Sequence, residues 1–252
     1  MGSPGRRAAG KLLADLRFRL SCDFVIVNGE NAAGGLGITK PTAHELFAVG
    51  AEVITLGNHT FAKRAVAAYL AEEPRIVRPA NYPPGVLGFG WGVYETAGGD
   101  TVAVVSLMGR TFMDAIDCPF RAADAVLAEI GDRTKIIIVD MHAEATSEKI
   151  AMGWHLDGRV SAVIGTHTHV QTSDERVLPG GTAYITDVGM TGVRDSVLGL
   201  PPAAVIERFV TKFPGKFELA EGPVCLHAAV IDVDGETGKA NSIETIEEAE
   251  SV

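Results

Sequence analysis

The chain is organised around the stretch Val163-Ile-Gly-Thr-His-Thr-His-Val170. A short β-branched run ends there in glycine, and His167 and His169 follow two residues apart. Side chains alternate along extended backbone, so this spacing predicts that both imidazoles lie on the same side. Neutral imidazole is a common ligand for Zn, Fe, Mn and Ni. The stretch is therefore a candidate metal clamp, although two polar residues in an exposed turn would give the same pattern.

Three other apolar runs, each typical of a buried strand, also end in residues that can bind metal. They cover residues 24–28, 52–56 and 135–140. The polar residues that follow them are Glu30 with Asn31, Asn58 with His59, and His142. In an α/β sheet the sites form at the carboxyl ends of the strands, so these side chains are predicted to share one pocket. Asp140 is either a support for His142 or simply the end of its strand.

Four of the seven histidines occupy these strand ends. The other three are interpreted as structural. His44 falls within a predicted helix, His155 is beside Trp154 on another, and His227 sits in an apolar strand. The candidate site therefore gathers the histidines that directly follow apolar strands.

Composition predicts one domain over residues 1–252. Hydrophobic residues make up 46% of the chain, enough for a core, and no apolar run reaches the ~18 residues of a membrane span. The formal charge of −10 argues against electrostatic binding of long nucleic acid over a broad surface. Three scattered cysteines and the lack of an apolar leader segment favour a reducing cytoplasm, with neither a disulfide framework nor a cysteine-based zinc site.

Alternating helical and strand patterns predict a layered α/β or α/β/α fold. Helices are predicted over 6–20, 39–49, 62–72, 120–130, 147–156 and 203–211. Further strands are predicted over 75–79, 92–96, 101–106, 182–186 and within 223–232. Ser147 is the expected cap of its helix. The acidic tail from Glu244 is expected to be frayed.

The ligand set mixes nitrogen and oxygen donors without a thiolate, which favours Mn, Fe or Zn. One carboxylate among several neutral ligands suits a bridge between two ions. Paired ions about 3.5–4 Å apart are a known device for phosphoester hydrolysis, because they activate a water molecule and hold the phosphoryl oxygens.

The motifs resemble those of a known family. In order, Asn28-Gly-Glu-Asn31, Gly57-Asn-His59, Asp140-Met-His142 and Gly165-Thr-His-Thr-His169 resemble the blocks of calcineurin-like metallophosphoesterases. Three longer phrases resemble the bacterial YmdB-like group more narrowly. They are Ile26-Val-Asn-Gly-Glu-Asn-Ala-Ala-Gly-Gly35, Met141-His-Ala-Glu-Ala-Thr-Ser-Glu-Lys149 and Thr186-Asp-Val-Gly-Met-Thr-Gly192. The similarity extends over essentially the whole chain.

The resemblance implies a four-layer α/β/β/α sandwich with two divalent ions, Fe or Mn being favoured and Zn an alternative. It implies a phosphodiesterase acting on 2′,3′-cyclic nucleotides, in which a hydroxide between the ions attacks phosphorus. Carried over by position, Glu30 bridges the ions and His59 is the general acid. Asn58, His142 and His167 hold one ion and His169 the other, while Asn31 is an additional ligand or phosphate contact.

The resemblance breaks at the front of the chain. The family pattern begins with a strand that ends in an aspartate ligand, and this sequence opens at the Gly2-Ser-Pro-Gly5 segment that should follow. We expect a misassigned start, in which a valine codon was read as the initiator.

The substrate and the assembly are left open. A phosphomonoesterase or nucleotidase on the same scaffold, and a regulatory protein that has lost catalysis, are the alternatives. The expected partner is a small phosphodiester or cyclic nucleotide, with RNA ends and a homo-oligomer left open, and no membrane.

Overall fold

A computed structural model describes residues 1–215 and 218–250. The helices are α1 Gly2–Arg19, α2 Lys40–Ala48, α3 Ala67–Glu72, α4 Pro119–Ile130, α5 Thr146–Leu156 and α6 Pro202–Thr211. The strands are β1 Ile26–Asn28, β2 Val53–Thr55, β3 Ile76–Val77, β4 Trp91–Glu95, β5 Thr101–Met108, β6 Ile136–His142, β7 Ala162–Thr166, β8 Arg176–Val177, β9 Ala183–Ile185, β10 Gly192–Val193, β11 Val224–Val233 and β12 Ala240–Ala249. Short 3-10 helices cover Arg64–Val66 and Gly131–Arg133.

The largest sheet has the strand order β4-β5-β6-β7-β9-β8. Its four central strands run parallel, while β4 and β8 pair antiparallel at the edges. β6 begins with the apolar run Ile136-Ile-Ile-Val139, as expected for a strand covered on both faces. One face of the sheet packs against α4 and α5 through Val126, Ile130, Met152 and Leu156. Because β6 and β7 are parallel neighbours, His142 and Thr166 lie side by side where both strands end.

A second, smaller sheet is parallel, with the order β1-β2-β3. Val53 and Val77 of this sheet pack against Val102 and Val104 of β5. The other face packs against α2 and α3 in an apolar cluster that includes Ile54, Ile76, Leu46 and Leu70. The carboxyl ends of β1 and β2 carry the two loops with Glu30 and Asn58.

A third sheet corrects the expectation for the C-terminal tail. β12 covers the acidic tail from Glu244 to Ala249 and pairs antiparallel with β11, so this part of the tail is not frayed. Residues 251 and 252 of the tail lie outside the described residues. Ile243 is buried against Ala183 and Ile185 of β9. Arg19 and Lys11 of α1 form ion pairs with Glu248 and Glu250, respectively, which offset the negative charge of the strand.

Three helix starts also differ from the sequence-based prediction. The helix predicted over 62–72 begins only at Ala67, because a 3-10 helix precedes it over Arg64–Val66. α1 begins at Gly2, ahead of Pro4 and Gly5, because proline is tolerated in the first turn of a helix. α5 begins at Thr146 with Ala145 at the N-cap and no side-chain cap, so Ser147 does not cap it. Within residues 1–215 and 218–250, no helix combines the length and apolar character needed to cross a membrane.

Candidate metal centre

The predicted ligands on four different elements converge around one buried nitrogen, Nε2 of His142. Glu30 Oε1 lies 2.9 Å away, and Asn58 Oδ1 and His167 Nδ1 each lie 3.0 Å away. His142 and Glu30 are both only 1% exposed. We call Glu30, Asn58, His142 and His167 the inner group.

The spacing in the inner group matches the donors of a metal ion better than a set of hydrogen bonds. A single imidazole nitrogen carries at most one proton and cannot satisfy three close partners at once. Two donors that each lie about 2.1 Å from one ion, at right angles, are about 3.0 Å apart. The three distances to His142 Nε2 are therefore those expected between donors that share one divalent cation.

A second pair of predicted ligands lies next to the inner group. His169 Nε2 is 3.2 Å from Asn31 Oδ1, and Asn31 directly follows Glu30 in the chain. We call Asn31 and His169 the outer pair. With only these two donors, the outer pair would need a ligand shared with the inner group to complete a metal site.

The backbone of the two loop histidines differs from the prediction. β7 ends at Thr166, and His167 and His169 have φ values of 101° and 66°. The predicted extended backbone with both imidazoles on one side is therefore wrong here. The two imidazoles instead serve different groups, since His167 faces His142 and His169 faces Asn31. Left-handed backbone is unfavourable for residues other than glycine, so other contacts must hold it.

A buried ion pair supplies these contacts. Lys149 Nζ lies 2.8 Å from Asp187 Oδ2, and neither side chain is more than 1% exposed. The same Asp187 oxygen accepts hydrogen bonds from the backbone amide and the hydroxyl of Thr168, at 3.0 and 2.8 Å. Thr168 stands between the two histidines, so Asp187 fixes the loop that carries them.

Lys149 and Asp187 were not recognised as functional from the sequence, although both fall in the motifs quoted above. A signal was present in α5, where Lys149, Met152 and Leu156 share the buried face of the helix. A lysine at such a position needs a buried anionic partner, because an unpaired charge in the core is very costly. The spacing of residues in the sequence does not identify the acidic residue that is this partner.

Asp140 supports His142 indirectly. β6 continues past Asp140 to His142, so the carboxylate does not end the strand. Thr166 donates its hydroxyl to Asp140 Oδ1 at 2.6 Å and contacts His142 Nδ1 at 2.9 Å. Because the threonine proton points to Asp140, Nδ1 of His142 is the donor in the second contact. This leaves the lone pair of Nε2 directed at the inner group.

The protonation states suit a cation site. Burial raises the pKa of Glu30, but His142 and the backbone amide of His59 outweigh it and lower that pKa to about 2. Burial is the largest cause that lowers the pKa of His169 to about 4, and burial also lowers the pKa of His167. At neutral pH these residues are a carboxylate and two neutral imidazoles, the forms that bind metal.

Glycine is required at position 57, in the loop after β2. A Cβ atom there would lie 2.2 Å from Cδ2 of His142 and 2.5 Å from Oε2 of Glu30. The close approach of this loop brings Asn58 to the inner group. It also brings the backbone amide of His59 within 3.1 Å of Glu30 Oε2, to which it donates a hydrogen bond. The imidazole of His59 is half-buried, with Nε2 3.5 Å from the amide nitrogen of Asn58.

The donor set is a candidate metal centre, and the comparisons with known proteins indicate a phosphoester hydrolase. Residues 1–246 match the family described as "YmdB-like protein". The chain belongs to this family, and the prediction that it is an enzyme, a phosphoester hydrolase, is confirmed.

Three relatives illustrate the similarity. A 2′,3′-cyclic-nucleotide 2′-phosphodiesterase from Bacillus subtilis is 50% identical, with 98% of this chain and 93% of that protein covered. The crystal structure of a hypothetical protein from Thermus thermophilus matches with a TM-score of 0.92 at 44% identity, covering 100% of this chain and 96% of that one. A novel phosphatase from Mycoplasma pneumoniae also has a TM-score of 0.92, at 33% identity, with coverages of 98% and 90%.

Proposed function

We propose that this chain is a dinuclear-metal phosphodiesterase that hydrolyses 2′,3′-cyclic nucleotides and breaks the bond from phosphorus to the 2′ oxygen. The observation that carries the proposal is the convergence of three donor atoms on Nε2 of His142 at 2.9–3.0 Å. The B. subtilis relative, at 50% identity, supplies the substrate class through its name.

The inner group would hold one ion, and His169 the other, with Glu30 shared between them and Asn31 as a further ligand or phosphate contact. Fe or Mn is favoured by the mixed nitrogen and oxygen donors, and Zn is the alternative. Two bound ions would supply a water-derived nucleophile at neutral pH and neutralise charge on the phosphoryl oxygens.

His59 is the proposed general acid. When water attacks phosphorus, it releases one proton to solvent. As the bond to O2′ breaks, the departing oxygen takes a proton from the imidazolium of His59. The hydrogen bond from its own backbone amide to Glu30 holds His59 at the edge of the inner group. The products are then a nucleoside 3′-phosphate and neutral His59, which takes its proton back from solvent.

The packing described above supports a four-layer α/β/β/α sandwich. In this arrangement, α2 and α3 cover the small sheet, the small sheet packs on the large one, and α4 and α5 cover the far face. The additional N-terminal strand with its aspartate stays a prediction, which the intact mass of the protein from its native source would test. The three free cysteines support a cytoplasmic location.

A direct assay tests the function. Purified protein loaded with Mn²⁺ or Fe²⁺ should convert 2′,3′-cyclic AMP to 3′-AMP, and should act more slowly on 2′-AMP, 3′-AMP and p-nitrophenyl phosphate. Preference for the monoesters would instead support a phosphomonoesterase, which the name of the M. pneumoniae relative favours. Metal binding without turnover of any of these substrates would support the regulatory alternative.

A further inference from the structure

A second cluster of potential metal ligands lies on the third sheet, on residues that the candidate centre does not use. Cys225 and His227 are two residues apart on β11, so their side chains share one face. Glu247 of β12 is the direct cross-strand partner of His227 and lies on that same face. One ligand atom from each of the three residues lies within 4.8 Å of the other two.

We propose that Cys225, His227 and Glu247 bind a divalent ion of the zinc class. A thiolate, an imidazole and a carboxylate are the three ligand types that Zn²⁺ takes in proteins, and three protein ligands leave one position for water. Donors around a tetrahedral zinc ion are about 3.4–3.7 Å apart, by the usual bond lengths. Cys225 Sγ and Glu247 Oε1 are already 3.9 Å apart, and every pair of donors lies within 4.8 Å, so binding an ion would draw the three side chains together.

The burial of the three side chains suits such a site. Cys225 is 3% exposed and held by a paired strand, whereas the side chain of Glu247 is 53% exposed, which gives an ion a way in from solvent. Burial raises the pKa of the Cys225 thiol and lowers that of His227. The thiol therefore keeps its proton until a metal ion replaces it, and the imidazole is neutral and ready to bind.

Two neighbouring contacts would have to break when the ion binds. Arg194 Nη2 lies 3.9 Å from Glu247 Oε1, and both groups are more than half exposed, so this ion pair is weak. The backbone amide of Met190 approaches Nδ1 of His227 at 3.4 Å. This long contact is lost whichever ring nitrogen takes the metal. This cluster could not be recognised from the sequence. The cysteines are widely spaced, and two of the three donors are not thiols.

A thiolate ligand gives a spectroscopic signal that the candidate centre cannot produce, since neither the inner group nor the outer pair contains sulfur. Co²⁺ bound to a thiolate absorbs in the near ultraviolet by sulfur-to-metal charge transfer. The full chain, freed of metal and titrated with Co²⁺ under reducing conditions, should develop this band. The Cys22→Ser/Cys118→Ser variant and the inner-group variant His142→Ala should keep it, whereas Cys225→Ser should lose it.

Glu247→Gln gives a second reading that does not disturb the buried thiol. We expect its affinity for Co²⁺, measured on the same band, to fall by at least about tenfold. The matched control is Glu248→Gln, which changes the neighbouring side chain on the opposite face of β12 and should leave the band and its affinity unchanged. Absence of the band, its persistence in Cys225→Ser, its loss in the Cys22→Ser/Cys118→Ser variant, or equal affinity in the two glutamate variants would overturn the proposal.

Discussion

The inner group and the outer pair of the candidate centre are built in different ways. The inner group draws four donors from four separate segments and places three of them 2.9–3.0 Å from the fourth, the buried Nε2 of His142. The outer pair has two donors, 3.2 Å apart, both on loops. Affinity for a metal rises with the number of ligands that the fold holds in place, so the inner group should bind its ion more tightly.

The largest effect is expected where the inner group is broken. His142→Ala removes the nitrogen on which the other three donors converge. Metal bound by the inner group should be lost, and hydrolysis of 2′,3′-cyclic AMP should fall about a thousandfold or more, since a catalytic ion contributes several kcal/mol.

The matched control is His44→Ala, which removes a histidine of α2 that packs against Tyr69. Turnover in this control should stay close to that of the unmodified chain. Substantial hydrolysis by the His142→Ala protein would show that the inner group is not the catalytic centre.

Lys149→Met should affect both the inner group and the outer pair, because it leaves Asp187 buried without its cation. We expect the free energy of unfolding to fall by about 3–5 kcal/mol in urea denaturation. Lys149→Met/Asp187→Asn should recover part of this loss, since the unpaired charge is then gone. If Lys149→Met were as stable as the unmodified chain, the ion pair would not hold the loop of His167 and His169.

His169→Ala distinguishes the outer pair from the inner group most cleanly. The outer ion should be lost while the inner one is kept, so metal analysis should show about half the content of the unmodified chain. Turnover should drop by about a hundredfold, less than for His142→Ala. Loss of both ions would mean that the inner group is not complete on its own.

Thr166→Val tests the support of His142 by Asp140. The substitution keeps the shape of the side chain and removes the hydroxyl that joins the two residues. The affinity of the inner group for Mn²⁺ should fall by about 10–100-fold, and the outer pair should be unaffected. Thr182→Val, which removes a buried hydroxyl that is hydrogen-bonded to backbone groups of Leu156, Gly158 and Val160, is the control and should retain full affinity.

The smallest expected effect is the dependence on pH of metal binding by His169. Because its pKa is about 4, His169 stays neutral as the pH falls from about 7 to about 5, whereas an ordinary histidine would become protonated near 6.5. The ion that depends on His169 should therefore be retained at about pH 5 and lost as the pH falls through about 4. Equilibrium dialysis of the unmodified chain and of the His169→Ala protein, compared at each pH, measures this ion. Its loss near pH 6.5 would show that burial does not keep the imidazole of His169 neutral.

The sequence predicts that Glu30, Asn58 and His142 lie close together, because their positions follow from regular structure. Glu30 and His142 follow apolar strands, and parallel strands place their carboxyl ends at one edge. The left-handed backbone at His167 could not be predicted, since it depends on Asp187 and Lys149 from other segments. β12 was missed for a similar reason, because the cations that offset its acidic residues lie on α1, at the other end of the chain.

The central claim is that Glu30, Asn58, His142 and His167 enclose one metal ion and that Asn31 and His169 contribute to a second. Anomalous diffraction from crystals grown with Mn²⁺ tests it directly. The account predicts a strong peak within bonding distance of Nε2 of His142 and a weaker peak next to Nε2 of His169. The absence of any peak among these six side chains, in crystals of protein that hydrolyses 2′,3′-cyclic AMP, would contradict it.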